Sequence, residues 1–249
     1  GEWLRVYWLL AGLCGVAALM WLTVALDERE AVAQGAEPAA GWREMARLAM
    51  LPTTVAVLLG LFLYVLIEQG IGTWLPTFNS EVLHLPAAIS VQMSSIFLAA
   101  LALGRLASGI VLRRVGWLPV LLGCLAAIAL IVIATLPLAR QVEPGAGLGW
   151  ADMPLAAYLF PLLGFFLAPI YPTICSVALS ASPRHRHPPM VGLIVIFSAL
   201  GGTIGSLLTG MLFEHVSGAL AFYFVLLPVA LIAFLLPSIR ARQAQGAAE

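Results

Sequence analysis

The chain has 249 residues, of which 62% are apolar and 10% charged. A soluble domain runs about 45–50% apolar and about 25% charged, so this balance excludes a soluble globular protein. Twelve Arg offset twelve Asp and Glu, and Lys is absent, so no basic field exists to hold a nucleic-acid backbone and no nucleic-acid partner is expected.

In chain order, apolar runs long enough to cross a bilayer predict spans at 6–26, 48–78, 88–112, 117–139, 153–181, 189–213 and 219–239. None alternates with period two, and only a helix satisfies its own backbone within hydrocarbon. The expected class is therefore all-α, a polytopic membrane bundle of seven transmembrane helices. The first run, about 21 residues, exceeds the 7–15 of a signal-peptide core, so it reads as a retained span and Gly1 as a cut or processed end. Cys14, Cys124 and Cys175 fall in separate runs, as small buried hydrophobes do, with no disulfide framework or CxxC pair.

Residues 27–47, rich in Ala, Glu and Arg with Pro38, separate the first span from the rest and read as a linker between two bodies. Trp42, Met45 and Leu48 recur there at helical spacing among charges, the pattern of an interfacial amphipathic helix. The division expected is 1–26, 27–47, a bundle over 48–239 and a tail over 240–249. One set of loops carries Arg29, Arg43, Arg47, Arg113, Arg114, Arg184, Arg186, Arg240 and Arg242; the other carries Arg5 and Arg140, and Arg105 lies within a span. The Arg-rich face is expected to be cytoplasmic, with the C-terminus inside. Trp3, Tyr7, Trp8, Trp74, Trp150 and Phe222 to Phe224 then fall near outer ends, and Trp42 and Trp117 near inner ones.

Two spans are irregular. The run 48–78 is about 31 residues, about 46 Å as a helix against a hydrocarbon core of about 30 Å, and holds Pro52, Gly70, Gly72 and Pro76. It is expected to bend, tilt or break. The run 153–181 holds Pro154, Pro161, Pro169 and Pro172, and each Pro deletes a backbone hydrogen bond. If the six later spans form two triplets, these are the first members of each. Broken helices at matched repeat positions point to a transporter's binding site, because freed backbone groups need a polar cavity.

Glu68 is the one acidic residue well inside an apolar run. A carboxylate there costs about 2.5–3.5 kcal/mol, so it needs an aqueous cavity, a cation or a proton. With no Lys and few buried Arg, taking up a proton is the expected escape; an interfacial or helix-capping place is the alternative. Tyr64, Gln69, Thr73 and Trp74 are its expected substrate-facing neighbours, and Tyr171 and Thr173 offer hydroxyls from the second irregular span, with packing as their other reading. Ser198, Gly202, Ser206 and Gly210, with Gly201, Gly205 and Thr209, form two small-residue rows for close helix approach, echoed by Ala100, Gly104 and Ser108.

These phrases resemble the major facilitator superfamily, over its spans six to twelve. The stretch Gly104-Arg105-Leu106-Ala107-Ser108 through Arg113-Arg114-Val115-Gly116 is similar to the signature joining that family's eighth and ninth helices, but its turn holds no acidic residue. The resemblance implies that Gly104 and Arg105 brace helix ends and that Arg113 and Arg114 gate or anchor; positive-inside placement accounts equally for the last two. Tyr64 to Phe78 and Gly164 to Leu179 look like the seventh and tenth helices of the fucose/glucose/galactose-type proton-linked sugar permeases, which line a central cavity. The resemblance implies a C-terminal six-helix half preceded by the last helix of the N-terminal half, with five further N-terminal helices as partners. It also implies a bacterial inner-membrane location.

No HExxH, GxSxG, Walker A or GxGxxG occurs, and Gly145, Gly147 and Gly149 have the wrong spacing. No enzyme activity, cofactor or metal is expected; His185 and His187 read as loop, and Glu214 and His215 as an interfacial helix end. The expected function is secondary transport of a small polar solute, a sugar first, by alternating access coupled to protons. An exporter of drugs or metabolites is one alternative. A seven-helix receptor or sensor is the other, although without Lys it carries no retinal Schiff base.

Overall fold

A computed structural model describes residues 2–23, 40–139 and 153–246. Residues 24–39, with Arg29 and Pro38, and residues 140–152, with Arg140, Trp150 and the Gly145 to Gly149 run, lie outside the described residues, as do 247–249. The chain forms two units, Gly1–Gly41 and Trp42–Glu249. The first contains helix α1, Glu2–Thr23, whose apolar stretch is Tyr7–Thr23.

The second unit is an all-helical bundle. Short α2 (Ala40–Ala49) runs into it and is followed by α3 (Pro52–Glu81), α4 (Ala87–Val111) and α5 (Trp117–Ala139). Then come α6 (Leu155–Leu167), α7 (Ile170–Ser180), α8 (His187–His215), α9 (Gly218–Tyr223) and α10 (Leu226–Gly246). Six stretches among the described residues are long and apolar enough to cross a membrane: α3, α4, α5, α6 with α7, α8 with the turn before it, and α9 with α10. The chain is thus an integral, multi-pass membrane helical bundle. Its outer surface is apolar at Leu103, Leu106, Ile110, Leu130, Ile133, Val195, Leu207 and Phe234, as lipid contact requires.

The two irregular spans differ. The first stays one continuous 30-residue helix through Gly70, Gly72 and Pro76, contrary to any break there. Pro52 occupies the first turn, where its missing N–H costs nothing, and Pro76 removes only the donor to the Gly72 carbonyl. The second does break, at Ala168-Pro169 between α6 and α7, where Pro169 and Pro172 remove the donors to the Phe165 and Ala168 carbonyls. A further interruption at Phe224 and Val225 separates α9 from α10. The last helix also continues through Arg240 and Arg242 to Gly246, because Arg, Gln and Ala favour helix.

Packing follows a two-triplet pattern. Helix α3 packs most extensively on α8, and α4 on α6. Helix α10 packs on α3 as α5 packs on α6. Exchanging the triplet α3–α5 with the triplet α6–α10 maps each pair onto the other. Glycines make the two main contacts possible: a Cβ on Gly201 or Gly205 of α8 would collide with the Phe62 or Leu66 carbonyl of α3. On the matched pair, one on Gly104 of α4 would strike the Phe165 carbonyl, and one on Gly164 of α6 would come within 2.5 Å of the Phe97 carbonyl. The small-residue rows therefore let backbones approach, which is how helices gain packing energy in lipid. At the Arg-poor end, Phe78, Phe160 and Phe222 stack with centroids 4.6–4.9 Å apart and tie α3, α6 and α9 together.

Helix α2 does not present Trp42, Met45 and Leu48 to one environment. Leu48 is buried in the bundle, Met45 is half-buried beside Gly192 and Trp42 is exposed. Successive steps of three residues rotate by about −60°, so a six-residue stripe turns through about 120°. Glu44 fastens the helix to the turn before α8, its Oε1 lying 3.3 Å from Nε of Arg186.

Candidate functional site

The site grows from Glu68 and Arg105, which fall inside the apolar runs 48–78 and 88–112. Glu68 occupies the middle of α3, and Arg105 lies near the end of α4 that carries Arg113 and Arg114. Nη2 of Arg105 sits 3.8 Å from Oε1 of Glu68, with the Glu68 side chain 23% exposed and the Arg105 side chain 57%. The cation that the sequence reading discounted as a partner for Glu68 is thus present. Pairing offsets part of the cost of placing a charge at membrane depth, and the exposed guanidinium remains open to other anions or hydroxyls.

Glu68 lines a cleft of about 240 Å³ between α3 and α4, together with Gln69, Gly72, Thr73 and Ser94. Gln69 and Thr73 are exposed, and the Ser94 hydroxyl is buried without a partner among the described residues. The Gly72 carbonyl lacks its helical donor because Pro76 follows four residues later. Phe97, Leu98 and Leu101 close the apolar side. A small cavity with a few convergent polar groups over apolar walls is the general form of a small-molecule site.

Aromatic residues carry the site across to α7. The Tyr64 ring is buried, one helical turn before Glu68, and its hydroxyl has no hydrogen-bond partner among the described residues. Its centroid lies 5.7 Å from that of Tyr171, and the Ser198 hydroxyl of α8 donates to the Tyr171 hydroxyl at 3.3 Å. The Pro169 break aims Tyr171 at α3, so nominated residues from both irregular spans meet. Thr173 is buried with its hydroxyl unpartnered among the described residues. It lines a second cleft, of about 750 Å³, with Arg105, Ser108, Trp117 and Ser176. Arg105 therefore links the two clefts, and the Ser108 hydroxyl donates to its carbonyl at 2.8 Å.

Three nominated groups stand apart from this cluster. Trp74 faces α8: its indole N–H donates to the Ser206 carbonyl at 2.8 Å, and its ring stacks on Phe213 at 5.4 Å. Gly104 seats α4 against α6. Arg113 and Arg114 are exposed in the turn between α4 and α5, with no acidic partner at ion-pair distance among the described residues. Sequence reasoning missed Ser94 and Ser176, and it placed Ser198 in a packing row. The Glu68–Arg105 pair had a usable signal: one charge of each sign inside the spans of a chain without Lys.

A family model described as Major Facilitator Superfamily matches residues 1–160, a stretch that includes Glu68, Gln69 and Arg105. None of the curated proteins matches the chain.

Proposed function

The chain belongs to the major facilitator superfamily, and from that premise we propose that it moves a small polar solute, a sugar, by proton-coupled alternating access. Members of this family bind small molecules and sit in the bilayer as transporters. In our reading the described bundle is the C-terminal half, α1 closes the N-terminal half, and a second six-helix bundle supplies the opposing wall of the cavity. The Arg-rich end faces the cytoplasm, and the membrane is a bacterial inner membrane.

The observation that carries the reading is the Glu68–Arg105 pair at 3.8 Å, with Glu68 on the wall of one polar cleft and Arg105 on the wall of the next. Two unit charges at that distance attract by about 4 kcal/mol at an effective dielectric of 20, before discounting for the exposed guanidinium. A proton arriving on Glu68 removes that attraction and frees Arg105 to donate to substrate oxygens. Gln69, Thr73 and Ser94 then bind sugar hydroxyls from α3 and α4, while Tyr64, Tyr171 and Thr173 respond on the α7 side. Trp74 closes the outer end of the α3–α8 contact, and Arg113 and Arg114 anchor the inner turn.

Uptake of a panel of labelled sugars by membranes holding the full-length protein tests the substrate class. One sugar is expected to accumulate when the outside is acidified, and Gln69→Ala and Thr73→Val are expected to raise its KM about tenfold each, the value of a hydrogen bond to a polar ligand. Accumulation of apolar cations with no sugar uptake would refute the assignment.

A further inference from the structure

A third cavity lies at the Arg-rich end of the bundle, away from the Glu68 cleft. Its volume is about 320 Å³, and its polar lining comes from Thr53, Thr54, Ser180, Ser182 and Arg186. Thr54 is 4% exposed, yet among the described residues none of the Thr53, Thr54, Ser180 and Ser182 side-chain hydroxyls takes part in a hydrogen bond. The cavity sits against the first turn of α3. Pro52 has no N–H, Leu51 offers no side-chain cap, and the first bond back to the chain outside the helix comes from Val55, leaving the Thr53 and Thr54 amides free. That end of a 30-residue helix carries partial positive charge.

Arg186 adds a full charge on the same wall. Its Nε is buried without a well-formed hydrogen bond, although Oε1 of Glu44 stands 3.3 Å away. On the α7 side, the Leu179 and Val177 carbonyls already accept from Ser182 and Ala181, and the Ser182 carbonyl meets the His187 ring. The surrounding groups thus supply donors for an anion. Leu48, Leu51, Val57, Met190 and Ile239 are among the apolar residues of the wall, more apolar surface than a bare oxyanion needs.

We infer that this cavity binds a phosphoryl group carried on an apolar body, the glycerophosphate of a membrane lipid. The membrane-length helices α3 and α8 and the α6–α7 span all begin or end here, which is where lipid headgroups lie. The phosphoryl oxygens accept from Arg186, the Thr53 and Thr54 amides and the hydroxyls around them, as charge-assisted bonds at a helix N-terminus. Glu44 competes with the phosphate for Arg186, so headgroup binding loosens α2 from the bundle. The proposal does not rest on the transport reading.

The test is retention of lipid by the full-length protein in neutral detergent, read by native mass spectrometry. Phosphatidylglycerol is compared with diacylglycerol of the same chains and with soluble glycerol 3-phosphate. Phosphatidylglycerol is expected to be retained about tenfold better than diacylglycerol, the scale of one charge-assisted bond. Arg186→Gln removes that preference, Thr54→Val weakens it severalfold, and Glu44→Gln strengthens it. If Arg186→Gln fails to fold, Thr54→Val and Glu44→Gln, checked for intact helix content, still decide. Glycerol 3-phosphate binding as tightly as the lipid, with the same variant pattern, supports the phosphoryl site and moves its source to a soluble ester. Equal retention of phosphatidylglycerol and diacylglycerol, or retention unaffected by both Thr54→Val and Glu44→Gln, overturns it.

Discussion

Gly164→Ala and Gly109→Ala add the same methyl group to a helix and should change stability in opposite directions. At Gly164 of α6 the new Cβ lies 2.5 Å from the Phe97 carbonyl oxygen and 3.2 Å from the Leu101 nitrogen, both fixed backbone atoms of α4. Reaching an ordinary contact of about 3.4 Å demands about 0.9 Å of separation between the two helices, and overpacking of this kind costs about 1–3 kcal/mol. The gain from replacing Gly within a helix, about 1 kcal/mol, offsets part of that, leaving a net loss of up to about 2 kcal/mol. At Gly109 nothing lies within 4 Å, so the same methyl keeps its helix gain of up to about 1 kcal/mol. Unfolding in mixed micelles at rising SDS fraction, followed by far-UV circular dichroism, measures both. Gly164→Ala proving as stabilising as Gly109→Ala would refute the close-approach account of the α4–α6 contact.

Glu68→Gln and Arg105→Gln, combined in a double-mutant cycle on unfolding in the same micelles, should show a coupling of about 0.5–2 kcal/mol, between exposed and buried ion pairs. Additive losses would mean that the two charges do not sense one another. Trp74→Phe should lose about 0.5–1.5 kcal/mol through its bond to the Ser206 carbonyl. Substrate affinity should hardly move, so a large rise in KM without loss of stability would place the indole in the binding site instead.

Hydropathy was enough to find the spans, because the bilayer imposes length and internal backbone bonding on every crossing. Expected 117–139 matches α5 from Trp117 to Ala139, and 88–112 lies within one residue of α4 at each end. Helix breaks were harder to read. Proline counts treat each residue alone, whereas Pro76 removes a single donor from a helix braced along its length by α8, and Pro169 with Pro172 removes two donors within one turn. The interruption at Phe224 lies four residues before Pro228, which removes the donor to the Phe224 carbonyl, a proline that the sequence reading did not single out.

The site was legible by residue type but not by partner. Glu68 stood out as the one acid inside a span, and Tyr64 and Tyr171 as polar groups on irregular helices; their convergence depends on how α3 meets α4, α7 and α8. Ser94 reaches the Glu68 cleft, and Arg105 the Glu68 carboxylate, from a helix 20 or more residues later. Trp74 shows the converse: a residue placed near Glu68 by sequence points to another face, because a step of six residues turns the helix through about 240°.

The most direct test of the central claim, that Glu68 couples the proton to the solute, is a comparison of accumulation with exchange. Full-length protein in liposomes, given an acid-outside gradient, should concentrate its labelled sugar, while Glu68→Gln should still exchange labelled for unlabelled sugar and fail to concentrate it. Accumulation by Glu68→Gln equal to that of the parent protein would contradict the account.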